Sequence, residues 1–160
     1  MNKVSLKARI RGYEGCELKA YDDSLGYRTI GIGYLLDCPE AVDAIERLGL
    51  DFKAVYRGDV LLTEEHCNVL LDQKLDEAIQ TAQVLVPNFD DHPHDVQDVL
   101  VDMAYNLGRP KLARFVKMLA AFKAMDYCAA QREMSESIWA RQVGRRALDN
   151  IAAVRLHCPS

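Results

Sequence analysis

The chain has 160 residues, of which 49% are hydrophobic and 28% charged, with a net charge of −4. This length and composition predict one globular domain and exclude a disordered or solenoid chain. No apolar run approaches the ~20 residues that span a bilayer, and the basic start lacks the apolar core of a secretory signal. We therefore expect a protein that is made and held in the cytoplasm and does not insert into a membrane.

Charge is unevenly distributed along the chain, and the cysteines are far apart. Residues 1–108 carry 10 basic and 20 acidic side chains, whereas residues 109–160 carry 10 basic and 4 acidic ones. We expect no nucleic-acid binding by the whole molecule, and the last third is either a contact surface for an anionic polymer or an ordinary basic helical surface. The five cysteines are widely separated and contain no CxxC pair, which predicts free thiols.

The N-terminal half contains the only predicted strands. A short helix is expected over 3–12, ending at Gly12. Residues 13–36 combine four glycines with alternating apolar segments, which predicts short antiparallel strands with tight turns. A further helix is predicted from Pro39, which suits a first turn, to just before Gly49.

Helices dominate the remainder. Thr63 is the predicted N-cap of the strongest helix, whose apolar residues follow the 3.6-residue period for about five turns until Pro87. Four more helical patterns cover 94–107, 111–124, 126–136 and 142–156. The sequence thus predicts an α+β, mainly α-helical fold, with a β-containing lobe over about 13–62, a long connecting helix, and a helical lobe made of 1–12 and 63–160.

Glu14, Asp23 and Thr29 are the candidate catalytic residues, in the spacing E-x8-D-x5-T. Hydrolysis of a glycosidic bond needs one protonated carboxylic acid for the leaving oxygen and a second, ionised carboxylate that stabilises the transition state or activates water. Two carboxyl groups divide these roles only where their surroundings separate their pKa values. The spacing alone is a weak signal, because 24 acidic residues produce such pairs by chance.

The surrounding residues strengthen that hypothesis. The segment YEGCELKAYDDSLGYRTIGIGYLL closely resembles the catalytic segment of phage-type lysozymes, the endolysin family classed as glycoside hydrolase family 24. The matching elements are Glu14-Gly15, Asp23, Gly26-Tyr27 and Thr29-Ile30-Gly31-Ile32-Gly33. The resemblance continues through the helix after Thr63, DMAYNLG at 102–108, Trp139 and GRRALDNIAAV at 144–154, and so covers nearly the whole chain.

The resemblance implies a role for each matching residue. Glu14 would be the general acid, Asp23 the second carboxylate, and Thr29 the hydroxyl that positions a water. Substrate-binding positions of the family's glycan cleft match Leu35, Tyr105 and Asn106. An arginine that pairs with the catalytic Glu in relatives is matched by Arg145 or Arg146, and the sequence does not choose between them.

The family also implies a substrate and partners. We expect a muramidase that cleaves the β-1,4 bond between N-acetylmuramic acid and N-acetylglucosamine in peptidoglycan and lyses the host. It would act as a monomer, without cofactor or metal, after a phage membrane-pore protein (a holin) releases it from the host cytoplasm. The alternatives are a lytic transglycosylase, or a virion-associated or non-catalytic wall-binding module.

Two features depart from the family pattern. Tyr34 stands where the T-even branch of the family has a histidine, which puts an ion pair in doubt. The chain is acidic overall, whereas many relatives are strongly basic.

Other conspicuous residues have simpler interpretations. Asp22 adjoins Asp23, and since adjacent strand residues point to opposite faces, Asp22 is expected to face solvent. His92 and His94 lack a third ligand at metal spacing. Trp139 is expected to pack in the core.

Overall fold

A computed structural model describes residues 1–160 and has the α+β, mainly helical fold that the sequence predicts. Its helices are α1 (Lys3–Glu14), α2 (Pro39–Arg47), α3 (Phe52–Arg57), α4 (Glu64–Leu85), α5 (His94–Leu107), α6 (Arg109–Leu112), α7 (Val116–Lys123), α8 (Tyr127–Ser135), α9 (Ile138–Val143) and α10 (Arg145–Arg155), with a 3-10 turn at Phe89–Asp91. The strands are β1 (Glu17–Asp22), β2 (Arg28–Gly31) and β3 (Tyr34–Leu35). None of the helices combines the length and the apolar character needed to cross a bilayer.

The three strands form one antiparallel sheet in the order β1-β2-β3. Between β1 and β2 the chain reverses in a tight turn, in which the Asp23 N–H donates to the Tyr27 carbonyl at 2.9 Å. Gly26 supplies the left-handed φ of 83° that this turn requires. Thr29 on β2 lies opposite Tyr21 on one side and Leu35 on the other, so it occupies the middle of the sheet.

The chain divides into two compact units, one formed by Lys7–Leu75 and the other by Met1–Leu6 with Asp76–Ser160. The first unit contains the sheet, α2 and α3. Its core consists of fully or almost fully buried aliphatic side chains from the sheet and from the helices, including Ile10, Ile30, Ile32, Leu36, Ile45, Val55, Leu70 and Leu75. The lobe boundaries given by the sequence stay a prediction.

The second unit is built around α5, in which nine consecutive or near-consecutive side chains from Val96 to Tyr105 are buried. A helix that is buried on all sides has to be covered by several others, and α10 packs on both α5 and α8, while α8 also packs on α7. The fully buried side chains Phe122, Met134 and Val154 come from α7, α8 and α10.

Several predicted helix ends are confirmed. The Thr63 hydroxyl accepts a hydrogen bond from the His66 N–H at 3.2 Å, and His66 Nδ1 accepts one from the Thr63 N–H at 3.1 Å. This reciprocal pair caps α4 as predicted, with a histidine ring in the place that Glu or Gln takes in a capping box. The helix predicted over 94–107 has those same bounds.

Three other predicted bounds are wrong. Helix α1 continues through Gly12 to Glu14, because burial of its Leu6 and Ile10 side chains outweighs the cost of an interior glycine, about 1 kcal/mol. The helix predicted over 111–124 is divided into α6 and α7. The one predicted over 142–156 is divided at Gly144, whose φ of 65° and ψ of −120° are not helical.

The prediction that all five cysteines are free is also wrong. Cys128 on α8 and Cys158, just beyond α10, form a disulfide with their Cα atoms 4.7 Å apart. Because α8 and α10 pack together, the start of one lies beside the end of the other. A sequence separation of 30 residues contains no sign of that contact.

Candidate active site

Glu14 is the last residue of α1 and is half-buried. Its helix is fixed along α4 by the ion pairs of Lys7 with Asp72 and of Arg11 with Glu64. Gly15 then takes a left-handed φ of 71°, which turns the chain sharply away from the helix axis. The Glu14 carboxyl group therefore projects from a rigid helix end rather than from a loop.

The Glu14 carboxyl group lies directly over the backbone of Gly33. A Cβ atom on Gly33 would be 2.7 Å from Glu14 Oε2 and 3.7 Å from Lys74 Nζ. The Lys74 ammonium also donates a hydrogen bond of 2.6 Å to the Gly33 carbonyl, which ties the end of the Gly-Ile-Gly segment to α4. Sequence reasoning missed Lys74, because nothing in its local pattern separates it from other helix-surface lysines.

Asp23 is held by the turn that it begins. Its Oδ1 accepts hydrogen bonds from the backbone N–H groups of Leu25 and Tyr27, both at 2.9 Å. These bonds fix the carboxylate and leave Oδ2 to meet a ligand or a water. The neighbouring Asp22 is exposed, as expected, and pairs with Arg28 at 3.3 Å.

Thr29 is buried, with 5% of its surface exposed. Its hydroxyl donates to the Tyr27 carbonyl at 3.0 Å, so the oxygen lone pairs remain to accept a hydrogen bond from water. The turn is anchored on its far side by Asp37, which accepts hydrogen bonds of 2.6 Å from the Arg28 N–H and the Tyr56 hydroxyl.

The Tyr21 phenol interacts electrostatically with both candidate carboxyl groups. Burial raises the pKa of the Tyr21 phenol, and the negative charges of Glu14, Glu17 and Asp23 raise it further. Glu14 and Asp23 therefore both lie within electrostatic range of one phenol in the Lys7–Leu75 unit. Leu35 on β3 belongs to the same unit and pairs with Thr29 on β2. Leu35 has 38% of its surface exposed.

The other unit contains Tyr105 and Asn106, at the end of α5. Tyr105 is 1% exposed and packs in the core of its unit. Asn106 is half-buried, and its Oδ1 accepts a hydrogen bond of 2.9 Å from Trp139 Nε1, so its amide NH₂ group remains to donate to a ligand. Trp139 itself is buried, as expected. The glycan-binding roles of Leu35, Tyr105 and Asn106 stay predictions.

Arg145 and Arg146 have different environments at the start of α10. Arg145 is exposed and pairs with Asp149 one turn later, at 3.3 Å. Arg146 is buried and donates to both carboxylate oxygens of Asp102, with its shortest contact at 2.8 Å. The pairing of one of these arginines with Glu14 stays a prediction.

His92 and His94, at the start of α5, are not arranged as metal ligands. His92 is buried, its Nδ1 lies 2.8 Å from the Tyr127 hydroxyl, and burial lowers its pKa. No group of three His, Cys, Asp or Glu side chains in residues 1–160 is placed to hold a metal ion.

Gly33→Ala should reduce activity by at least about tenfold, because the new methyl group would take the space of the Glu14 carboxyl group. Alanine at a φ of 65° should also cost about 1–3 kcal/mol of unfolding free energy. The measurements are urea unfolding and hydrolysis of purified peptidoglycan, the substrate that the sequence resemblance implies. Gly49→Ala is the matched control, since Gly49 has a φ of 82° and nothing within 4 Å of its Cβ position. Equal activity of the two variants would contradict the role of Gly33.

Comparison with known proteins identifies the family. The phage lysozyme family model matches residues 11–155. The chain is 24% identical over 151 residues to a Dictyostelium discoideum protein named probable T4-type lysozyme 1, covering 89% of each. It is 29% identical over 151 residues to the pre-baseplate central spike protein Gp5 of Enterobacteria phage T4, covering 90% of this chain but only 26% of Gp5.

A third relative is the peptidoglycan hydrolase gp36 of Enterobacteria phage SP6, which is 31% identical over 114 residues. That match covers 71% of this chain and 12% of gp36, so the chain spans a small part of both phage relatives. The family match nevertheless includes all three candidate catalytic residues, the end of α1, and helices α2 to α10. The chain therefore belongs to the phage lysozyme family, a family of glycoside hydrolases.

Proposed function

We propose that this protein hydrolyses the β-1,4 bond between N-acetylmuramic acid and N-acetylglucosamine in bacterial peptidoglycan. The observation that carries the proposal is that Glu14, at the end of α1 over Gly33, and Asp23, in the turn between β1 and β2, belong to one compact unit. One carboxyl group projects from a helix end, and the other is fixed in a turn. The similarity to a protein named peptidoglycan hydrolase supports the choice of substrate.

In this mechanism Glu14 donates its proton to the glycosidic oxygen as the bond to the sugar breaks. Asp23 stabilises the positive charge that develops on the ring and, with Thr29, orients a water that attacks the anomeric carbon. The Thr29 hydroxyl suits this task because its proton is committed to the Tyr27 carbonyl, so its oxygen accepts a hydrogen bond from the water. The proton of the water passes to Asp23 or to solvent.

The nature of the products tests the proposal. Purified peptidoglycan digested with the protein should release muropeptides with reducing sugar ends, as measured by mass spectrometry. Anhydro-muramyl ends would instead indicate a lytic transglycosylase, in which the sugar's own hydroxyl group replaces the water. Absence of any released fragment would favour a non-catalytic wall-binding module.

Access to the wall is a second part of the proposal. In the proposed route the protein is held in the host cytoplasm, reaches peptidoglycan through a holin, and lyses the cell as a monomer. A virion-associated enzyme is the alternative, and the similarity to the central spike protein Gp5 favours it. Mass spectrometry of purified virions distinguishes the two, since only a virion-associated enzyme would be found in the particle.

Charge should govern the approach to the polyanionic wall. Arg114 and Lys117 are exposed and line a cavity of about 430 Å³ together with Glu133 and Glu136. Exposed charges mainly change the rate at which the protein meets the wall, and salt screens their interaction beyond about 8 Å at physiological ionic strength. Reversing both basic residues to Glu should lower activity on intact walls several-fold at low salt, with little effect on a short soluble glycan.

Salt titration supplies the control for this prediction. Wall activity of the parent protein should fall more steeply with salt than that of the Arg114→Glu, Lys117→Glu variant. A variant with Lys123→Glu and Arg155→Glu has the same net charge, but its changes lie outside the cavity lining. Identical salt curves for the parent and the first variant would show that these two charges are an ordinary solvated surface.

A further inference from the structure

Two of the three unpaired cysteines meet beside the candidate acid. Cys16 follows Glu14 by two residues, and Cys67 lies near the start of α4, and both belong to the Lys7–Leu75 unit. Cys67 Sγ contacts Gly31, whose strand partner Glu17 directly follows Cys16, and the two thiol groups interact as neighbours. The Cys16 thiol also donates to Glu64 Oε2 at 3.9 Å.

The two thiols differ in their access to solvent. Cys16 is half-buried, whereas Cys67 has no exposed surface and lies against the backbone of Gly31, 3.6 Å from its Cβ position. Burial, the contact with Cys16 and the negative charge of Glu64 raise the pKa of the Cys67 thiol to about 12. Since the thiolate is the attacking species, Cys16 is the thiol that meets a dissolved oxidant first.

We propose that Cys16 and Cys67 are a redox-active dithiol that a dissolved disulfide compound oxidises to an intramolecular disulfide. The Cys128–Cys158 disulfide in the other unit is a reference pair, with which the oxidation of Cys16 and Cys67 can be compared. This inference goes beyond the proposed function and does not depend on it.

The oxidation proceeds in two exchange steps. The Cys16 thiolate attacks one sulfur of the oxidant R–S–S–R, forming a Cys16–S–S–R bond and expelling RS⁻. The Cys67 sulfur then attacks Cys16 Sγ and expels the second RS⁻, which takes up the Cys67 proton. The two protein thiols lose two electrons and two protons in total, and the oxidant is reduced to two molecules of RSH.

The crosslink would join the segment after Glu14 to the first turns of α4. It closes a loop of about 50 residues, which restricts the unfolded chain and raises the free energy of unfolding relative to the dithiol form. Oxidation should therefore raise the melting temperature by roughly 5 °C or more. The oxidised enzyme would be the more durable form outside a reducing compartment.

Peptide mapping tests the site. The protein is purified under reductant, exposed to oxidised glutathione, alkylated with N-ethylmaleimide and digested for mass spectrometry. We expect two crosslinked peptide pairs, Cys16 with Cys67 and Cys128 with Cys158, and an alkylated or glutathionylated Cys38. Formation of the Cys128–Cys158 pair with Cys16 and Cys67 still alkylated would overturn the proposal, as would glutathione retained on Cys16 or crosslinks of Cys16 to another cysteine.

Two variants separate the roles of the cysteines. In Cys67→Ala, oxidation should stop at the glutathione adduct of Cys16, because no second thiol is in contact. In Cys16→Ala, the buried Cys67 should stay unreacted in the folded protein. Reaction of Cys67 with glutathione at the parent's rate in Cys16→Ala would contradict the order of steps. Because the readout is covalent mass, a failure here is distinguishable from a failure of the proposed hydrolysis.

Discussion

Replacing Glu14 with Gln is expected to lower wall-hydrolysing activity by at least about 100-fold while the protein stays folded. The amide has the shape of the carboxyl group but no proton to transfer to the glycosidic oxygen. Since Glu14 ends α1 and packs over Gly33, an isosteric change should leave the helix end in place. Initial rates of release of reducing ends from purified peptidoglycan measure the effect, and circular dichroism checks the fold.

Glu17→Gln is the matched control for this experiment. Glu17 lies three residues further along the chain, is exposed on β1, and loses the same charge on substitution. We expect its activity to stay within about twofold of the parent, because exposed single charges act weakly. Full turnover by Glu14→Gln would remove Glu14 as the acid and leave Asp23, or an acid outside the motif, as the candidate.

The part of the site that the sequence predicts is the part encoded locally. Asp23 and Thr29 are held by hydrogen bonds to residues within four positions along the chain, so a short motif carries their arrangement. The same holds for the cap of α4, where Thr63 and His66 bond to each other. The bounds of α5 could be predicted because the Pro93 before it and the Gly108 after it are local signals.

The remainder depends on contacts between distant segments. Lys74 reaches the Gly33 carbonyl across 41 residues, and Cys16 meets Cys67 across a similar span. No spacing rule connects such pairs in a single sequence. The sequence also predicts a continuous helix over 111–124, because the apolar period persists through 113–115. The backbone at 113–115 is not helical, and the apolar period does not reveal this break.

The most consequential of these distant contacts is the ion pair at the centre of the helical unit. Asp102 has no exposed side-chain surface, and Arg146 has 6%. Three hydrogen bonds join them, and Asn150 Nδ2 adds a fourth to Asp102 Oδ2 at 2.7 Å. These four hydrogen bonds replace the water that the carboxylate loses on burial. They also hold the start of α10 against α5.

Asp102→Ala should therefore destabilise the protein by about 3–5 kcal/mol, because a buried guanidinium loses the carboxylate that neutralises it. Asp149→Ala removes the partner of the neighbouring Arg145 at the surface, and should cost less than about 1 kcal/mol. Urea unfolding of both variants measures the difference. Because removal of either partner leaves the other charge buried, an Asp102→Leu, Arg146→Met double variant should recover part of the loss. A cost below about 1 kcal/mol for Asp102→Ala would mean that water enters and replaces the carboxylate, and that the pair does not anchor α10.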